Sequence, residues 1–313
     1  MRKSIAIIIT SILVLSGCNK QQSVSDRLLN EVEKAIAINP DSASNLLKSI
    51  SSPEKLDDKA FARWCMLSGK ITDEIFNSIL PTYQLERAYD WYSSHGSPDE
   101  QVQILIYLGR SYFADGDYDK AMSIYTNALD IAGKNKLNNL IGYTYDYIGD
   151  LYREKFMRTE AIKRYEIAAE YFKKEKNTDS YACALRDIGR EYAQMDSLSH
   201  ALNILIIADS VAANTSNINV TASINNALGN IYSMQNKYDK AEEYLLKALL
   251  TGREKMPDYV ALIDLYTASN SINKAKELLS KIPQDTPNIH VALNIYIIKF
   301  ITQKKTIKKL LLI

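Results

Sequence analysis

The sequence predicts an all-α protein built from stacked pairs of helices, and three observations predict it. A frame recurs four times: Leu108-Gly109-x-x-Tyr112 with Ala121, Tyr125 and Ala128; Ile148-Gly149-x-x-Tyr152 with Ala161, Tyr165 and Ala168; Ile188-Gly189-x-x-Tyr192 with Ala201, Leu205 and Ala208; Leu228-Gly229-x-x-Tyr232 with Ala241, Leu245 and Ala248. Its glycines stand 40 residues apart each time, and a fixed period of this length marks units that bury their apolar faces only by stacking. Small Gly and Ala let two helices approach while Tyr and Leu fill the space on either side, so most of the 21 tyrosines belong to the core. The composition agrees, because 313 residues with 46% hydrophobic content, 11 Gly, 7 Pro and 3 Cys exclude a disordered chain, a collagen-like chain and a disulfide scaffold.

Within each copy the frame resembles the tetratricopeptide repeat, with Leu-Gly-x-x-Tyr in the first helix and Ala-x-x-x-aromatic-x-x-Ala in the second. The resemblance implies a right-handed, superhelical solenoid, here of about six and a half helix pairs. The family period is about 34 residues, so a period of 40 leaves about six to place. They are expected in longer second helices or in longer links such as Asn135 to Asn139 and Lys173 to Thr178. The frame glycines are packing residues rather than a phosphate loop, because no Gly-rich run follows a strand.

Taken in order, residues 1–17 read as a signal peptide. Arg2 and Lys3 precede an apolar run from Ile5 to Leu15, shorter than the roughly 20 residues of a spanning helix. Leu15-Ser16-Gly17-Cys18 then resembles the bacterial lipoprotein lipobox, which implies that Cys18 takes a diacylglycerol and an acyl chain such as palmitate. It would become the anchored N-terminus of a protein in the bacterial cell envelope, on a periplasm-facing membrane. Residues 18–24 form a short polar tether, and residues 25–282 the solenoid. Ser25 to Ile38 and Asp41 to Ile50 read as helices broken at Asn39-Pro40, since proline disfavours helix in the residue before it. Trp64-x-x-Leu67-Ser68 followed by Leu85, Ala88 and Tyr92 is a degenerate pair whose second helix begins at Pro81, where a missing N–H costs nothing. After the four strong copies, Leu262-x-x-x-Tyr266 and Ala275-x-x-x-Leu279 make another. Residues 283–313 read as an incomplete basic terminal repeat: Phe300 and Lys309 fall where a frame aromatic and a buried Ala belong, and Leu310 to Ile313 are the opposite of a polar cap. Truncation of a longer protein is the expectation, with a basic amphipathic helix lying on the membrane as the alternative.

Charge offers no general attraction for nucleic acid. The formal net charge is +1, and without residues 1–17 it is −1, divided into −6 over residues 18–280 and +5 over residues 281–313. Asp115-Gly116-Asp117-Tyr118-Asp119 alternates carboxylates like a calcium loop, but the glycine that loop needs falls at Lys120 and its bidentate glutamate at Thr126, so an interhelix turn with an Asp cap fits better. Cys65 and Cys183 lie in different repeats and are expected free and buried. His95, His200 and His290 fall in or near links and suggest solvated surface. No metal, cofactor or catalytic residue is assigned, and the chain is read as no enzyme.

What remains is the groove lined by first helices. The resemblance implies that Ile106, Arg110 and Phe113, then Asp146, Asp150 and Arg153, then Arg186 and Arg190, then Asn226, Asn230 and Ser233 face a bound peptide. Arg110, Arg153, Arg186, Arg190, Asn226 and Asn230 are the candidates, because residues four apart share a helix face and guanidinium and amide groups grip carboxylates and peptide bonds. Ion pairing of Asp146 and Asp150 with Arg186 and Arg190 is the competing use of those charges. The expected function is a membrane-anchored scaffold for a peptide or protein partner. The alternative is the exported sensor half of a truncated signalling or transcriptional regulator.

Overall fold

A computed structural model describes residues 26–75, 79–253 and 255–282; the expected signal peptide, Cys18, the tether and residues 283–313 lie outside them. Among the described residues the regular structure is helical and no strand occurs. In chain order the helices are α1 (26–36), α2 (Pro40–Lys48), α3 (Asp58–Ile75), α4 (Thr82–His95), α5 (Pro98–Ala114), α6 (Tyr118–Asn135), α7 (Asn138–Glu154), α8 (Arg158–Lys174), α9 (Thr178–Gln194), α10 (Leu198–Ala212), α11 (Ile218–Met234), α12 (Tyr238–Thr251), α13 (Met256–Ala268) and α14 (Ile272–Ser280). They make seven successive pairs among the described residues, close to the expected six and a half, whose final half pair falls within residues 283–313, outside them.

The chain falls into two compact units, Met1–Leu151 and Tyr152–Ile313. In the first, Leu29 and Val32 of α1, Ala43 and Leu47 of α2, and Ala60, Leu67 and Ile71 of α3 share one apolar cluster. Phe61 and Cys65 of α3 join Leu85, Ala88 and Tyr92 of α4 and Ile104 and Leu108 of α5 in the next. In the second unit, Ala182 of α9, Leu205 and Ala208 of α10, and Ile224 and Leu228 of α11 form one cluster. Tyr232 of α11, Leu245 of α12, Leu262 and Tyr266 of α13, and Leu279 of α14 form another.

The frame glycines do what their spacing suggests. A Cβ on Gly189 would lie 2.8 Å from Leu205 Cγ, and one on Gly229 would lie 2.5 Å from Leu245 Cγ. A Cβ on Gly109 would press on the Tyr125 ring. First helices are buried on several sides, as α11 is along Val220, Ile224, Leu228 and Ile231, whereas α12 buries the strip Ala241, Leu245 and Ala248. First helices therefore form an inner layer in each unit and second helices an outer one.

The extra residues of the 40-residue period sit in the helices of both layers. α5, α7, α9 and α11 each run 17 residues and α6 runs 18, while Lys136 and Leu137 alone separate α6 from α7. The expected long links are thus mostly helix: Asn135 ends α6, and Lys173 and Lys174 end α8. Each added residue in a helix gains a backbone hydrogen bond and can extend the packed face, whereas a longer loop only costs entropy.

Helix ends follow local chemistry. Asn39 caps α2 by accepting from Ser42 N at 3.0 Å, and Pro40 and Pro98 occupy first helical positions. Ser97 and Glu100 form a reciprocal capping box at α5. Five turns joining first to second helices share one closure: the amides of Asp117, Met157, Ser197, Lys237 and Ser271 donate to the carbonyls of Tyr112, Tyr152, Tyr192, Tyr232 and Tyr266 at 2.7–2.9 Å. The residue before each donor is left-handed, namely Gly116, Phe156, Asp196, Asn236 and Asn270. Asp117 also accepts from Lys120 N at 3.2 Å, so the alternating carboxylates form a capped turn.

Candidate functional site

In the first unit, α5 presents Arg110 and Tyr107 toward α3. Arg110 pairs with Asp73, and Tyr107 Oη donates to the same carboxylate at 3.0 Å. The guanidinium also lies 5.2 Å from the Tyr147 ring centroid. Gly69, Thr72, Leu80 and Leu85 line a shallow hollow beside Tyr107 and Arg110. Ile106, expected in the groove, is instead buried, and Phe113 is half-buried against Tyr118. Both differences follow from the packing of α5 against α4 and α6 with α3 beside it, which turns more of its circumference into core than a surface-helix pattern allows.

The second unit holds the denser cluster. On α9, Arg186 grips its neighbour Asp187 with two bonds, Nε to Oδ1 at 3.0 Å and Nη2 to Oδ2 at 2.6 Å, and reaches across to Ser223 Oγ on α11 at 2.9 Å. Arg190, one turn on, approaches Asp187 Oδ1 at 3.4 Å and keeps 40% of its side chain exposed. Asp187 is 5% exposed. Burial pushes its carboxyl up, but the positive charge and hydrogen bonds of Arg186, with Arg190 and Arg153 adding to them, hold it below the ordinary carboxylate range. Burial first, and then repulsion from Arg186, bring Arg190 down to about 10. Arg158, at the start of α8, pairs with the buried Glu191 at 2.8 Å. One ion pair of Arg186 is with Asp187, a residue that counting in steps of 40 passes over because it lies one position off that face.

Farther along, Asn226 differs from its expected place. It is 6% exposed, and its amide donates to Asp258 Oδ1 on α13 at 2.7 Å. Asn230 donates to Asn226 Oδ1 at 3.0 Å and is itself half-buried, as is Ser233. Asn226 joins α11 to α13 and orients Asn230, which leaves Asn230 as the amide nearer solvent.

The other candidates for chemistry settle into structural places. Burial pushes the Cys65 thiol up to about 12, so it stays protonated at neutral pH. Cys183 is half-buried rather than buried, and its Sγ accepts from Arg186 Nη1 at 3.6 Å. His95 stacks on Trp91, and His200, inside the first turn of α10, stacks on Tyr192; His290 lies outside the described residues. No described helix is long and apolar enough to cross a membrane.

Comparison with known proteins identifies the repeat. Tetratricopeptide repeat models match residues 105–138 and 221–256. The Photosystem I assembly protein Ycf3 of Rippkaea orientalis is 32% identical over 91 residues, which is 28% of this chain and 52% of that protein. The chain thus spans about half the length of the curated relative it matches. Among solved structures, a Rap protein complexed with Competence and Sporulation Factor superposes with a TM-score of 0.65 at 16% identity, over 92% of this chain and 88% of that one. The apo quorum sensor NprR of B. thuringiensis gives 0.53 at 15% identity over 83% and 75%. BtubC of P. vanneervenii gives 0.55 at 19% identity over 68% and 91%. The in-frame glycines packed on their second helices, the five like turns and the two matched segments have one meaning: residues 105–138 and 221–256 are tetratricopeptide repeats, and the helix pairs between them repeat the same frame.

Proposed function

We propose that this protein is a non-enzymatic scaffold, held at a bacterial membrane by a lipid on Cys18, that binds a peptide or protein partner on the face formed by its first helices. The observation that carries the reading is the inner layer of the second unit, where Arg186 and Arg190 of α9 gather at Asp187 and Ser223, and Asn230 stands on the next first helix, α11, bonded to Asn226. Charged and amide groups in a sheltered place satisfy peptide bonds and side-chain carboxylates. The Rap relative, seen with a bound factor, supports the idea that such an arrangement of helices can hold a partner. The short polar stretch after Cys18 would keep the repeats within about 3.5 Å per residue of the bilayer.

Two measurements test the parts separately. Membrane fractionation should find the wild-type protein in the membrane and the Cys18→Ala variant in the soluble fraction; full retention of the variant would overturn the lipid anchor. Selection from a displayed random-peptide library should enrich a defined sequence, and Arg190→Ala should weaken that peptide by about tenfold, the effect of one lost charge-assisted bond. Failure to enrich any sequence, or an unchanged affinity in the variant, would overturn the binding face.

A further inference from the structure

The turns that join first to second helices share one closure, but their side chains differ. In the second unit three successive turns hold large apolar residues in water: Phe156 is 79% exposed, Met157 46%, Met195 45% and Met234 46%. The turns before and after them in the chain are polar, Asp115-Gly116-Asp117 following α5 and Ser269-Asn270-Ser271 following α13. The closure therefore does not call for apolar residues, since the same backbone hydrogen bond forms in all five turns. Phe156 is an independent sign. It takes the left-handed backbone that the sister turns give to Gly116, Asp196, Asn236 and Asn270, and it gains no burial in return. A strained backbone under an exposed ring, kept where a glycine or asparagine fits, points to a use outside the chain's own packing.

The occupant follows from the shape and charge of the row. Each turn stands where a first helix gives way to a second, and neighbouring first helices pack about 10 Å apart, so the row runs about 20 Å along one rim of the second unit. Residues 154–160, 194–200 and 234–240 hold four basic and four acidic side chains, so the rim has no net charge with which to draw a nucleic acid or an anionic bilayer. Its two ends complement each other. Glu154 and Phe156 stand at one end, Met234 and Lys237 at the other, and Met195 between them. A second copy turned end for end sets each Phe156 ring against Met234 of the other copy, a sulfur–aromatic contact, and each exposed Glu154 beside Lys237 of the other. Closed two-fold symmetry asks for this reciprocity. The four apolar side chains leave about 400 Å² in water, the size at which a surface patch is often functional. Two copies hide about 800 Å² there, and the polar rim has only to supply the rest of the roughly 1,200 Å² at which specific interfaces begin.

We propose that this rim is the interface of a reversible two-fold dimer, with Phe156, Met157, Met195 and Met234 at its centre and a Glu154–Lys237 pair at each end. The dimer uses the turns rather than the inner layer and needs no lipid on Cys18, so it stands or falls apart from the peptide-binding reading and from the membrane anchor.

The test is photo-crosslinking in intact bacteria that express two differently tagged copies of the full chain, with a photoreactive residue at position 234. The expected product carries both tags, and mass spectrometry maps its junction to the Phe156 turn. Phe156→Asn combined with Met195→Gln should lower the yield about tenfold without lowering the melting temperature, because a sister turn carries Asn236 and Gln235 at those places. Glu154→Lys should also lower the yield, and adding Lys237→Glu should restore it. A two-tag product unaffected by the apolar substitutions, or one joined away from the Phe156 turn, would overturn the two-fold row. A charge-reversed double variant no better than Glu154→Lys would overturn the end-for-end order. A crosslink to phospholipid or to another protein alone would overturn the dimer by giving the rim to that occupant, and the absence of any product would overturn it outright.

Discussion

Phe156 holds a left-handed backbone, φ 58°, at the turn position where the sister pairs place Gly116, Asp196, Asn236 and Asn270, and its ring is 79% exposed. Outside Gly, Asn and Asp a residue pays about 1–2 kcal/mol there, and no burial offsets it. Phe156→Gly should therefore raise the unfolding free energy by about 1 kcal/mol in urea titration; a loss of stability would show that the ring's stacking under Arg158, at 5.7 Å, outweighs the backbone. Glycines give a paired test. A Cβ on Gly229 would meet Leu245 at 2.5 Å and the Ala241 carbonyl at 3.2 Å, whereas one on Gly133 in α6 would meet nothing within 4 Å. Gly229→Ala should cost about 1–3 kcal/mol, while Gly133→Ala should add about 0.5–1 kcal/mol. Asp187 supplies a pH signature. Its folded-state carboxyl titrates below the ordinary value, so its stabilisation is complete above the carboxylate range and is lost as pH falls through the folded-state value. Asp187→Asn should cost about 3 kcal/mol at neutral pH and should flatten the decline in stability measured below about pH 4. A variant with the wild-type slope would place that titration on another group.

Helix pairs were legible wherever a local rule sets an element. Asn39-Pro40 and Pro81 mark starts that the structure places at Pro40 and Thr82, and the Tyr of each Gly-x-x-Tyr turns out to be the carbonyl that closes the turn. Phe156 gave no turn signal, because the backbone hydrogen bond from Met157 to Tyr152 sets the turn and the side chain merely tolerates it. The length of the first helices was missed for a related reason: extra turns placed in a helix leave the 40-residue spacing unchanged. The candidate site was legible in its arginines and less so in its connections. Counting by 40 puts Asn226 with Arg186, yet α13 packs close enough for Asp258 to capture the Asn226 amide, and Glu191, which faces Arg158, carries no repeat signature at all. A link between elements has its own consequence. Asn226→Ala should destabilise the protein by about 2 kcal/mol in thermal or urea unfolding, the effect of losing a hydrogen bond to a charged group, with faster amide exchange in α13; unchanged exchange there would mean that the apolar cluster alone holds α13 in place.

At the scale of the whole chain, the repeats carry a net charge of −6 over residues 18–280, against +5 over residues 281–313. A partner approaching the repeats therefore meets a net negative average field, and at α9 a local one set by Arg153, Arg186 and Arg190 around Asp187. The membrane anchor and the binding face are separable claims, and the binding face is the central one. Its most direct measurement is site-specific photo-crosslinking in intact cells, with a photoreactive residue at position 230 on the first-helix face or at position 207, where the exposed Ile207 of the second-helix layer stands. A discrete crosslinked product from position 230, absent from position 207 and lost on Arg190→Ala, is the expected result. Equal products from both positions, or a product from position 207 alone, would contradict a partner held by the first helices.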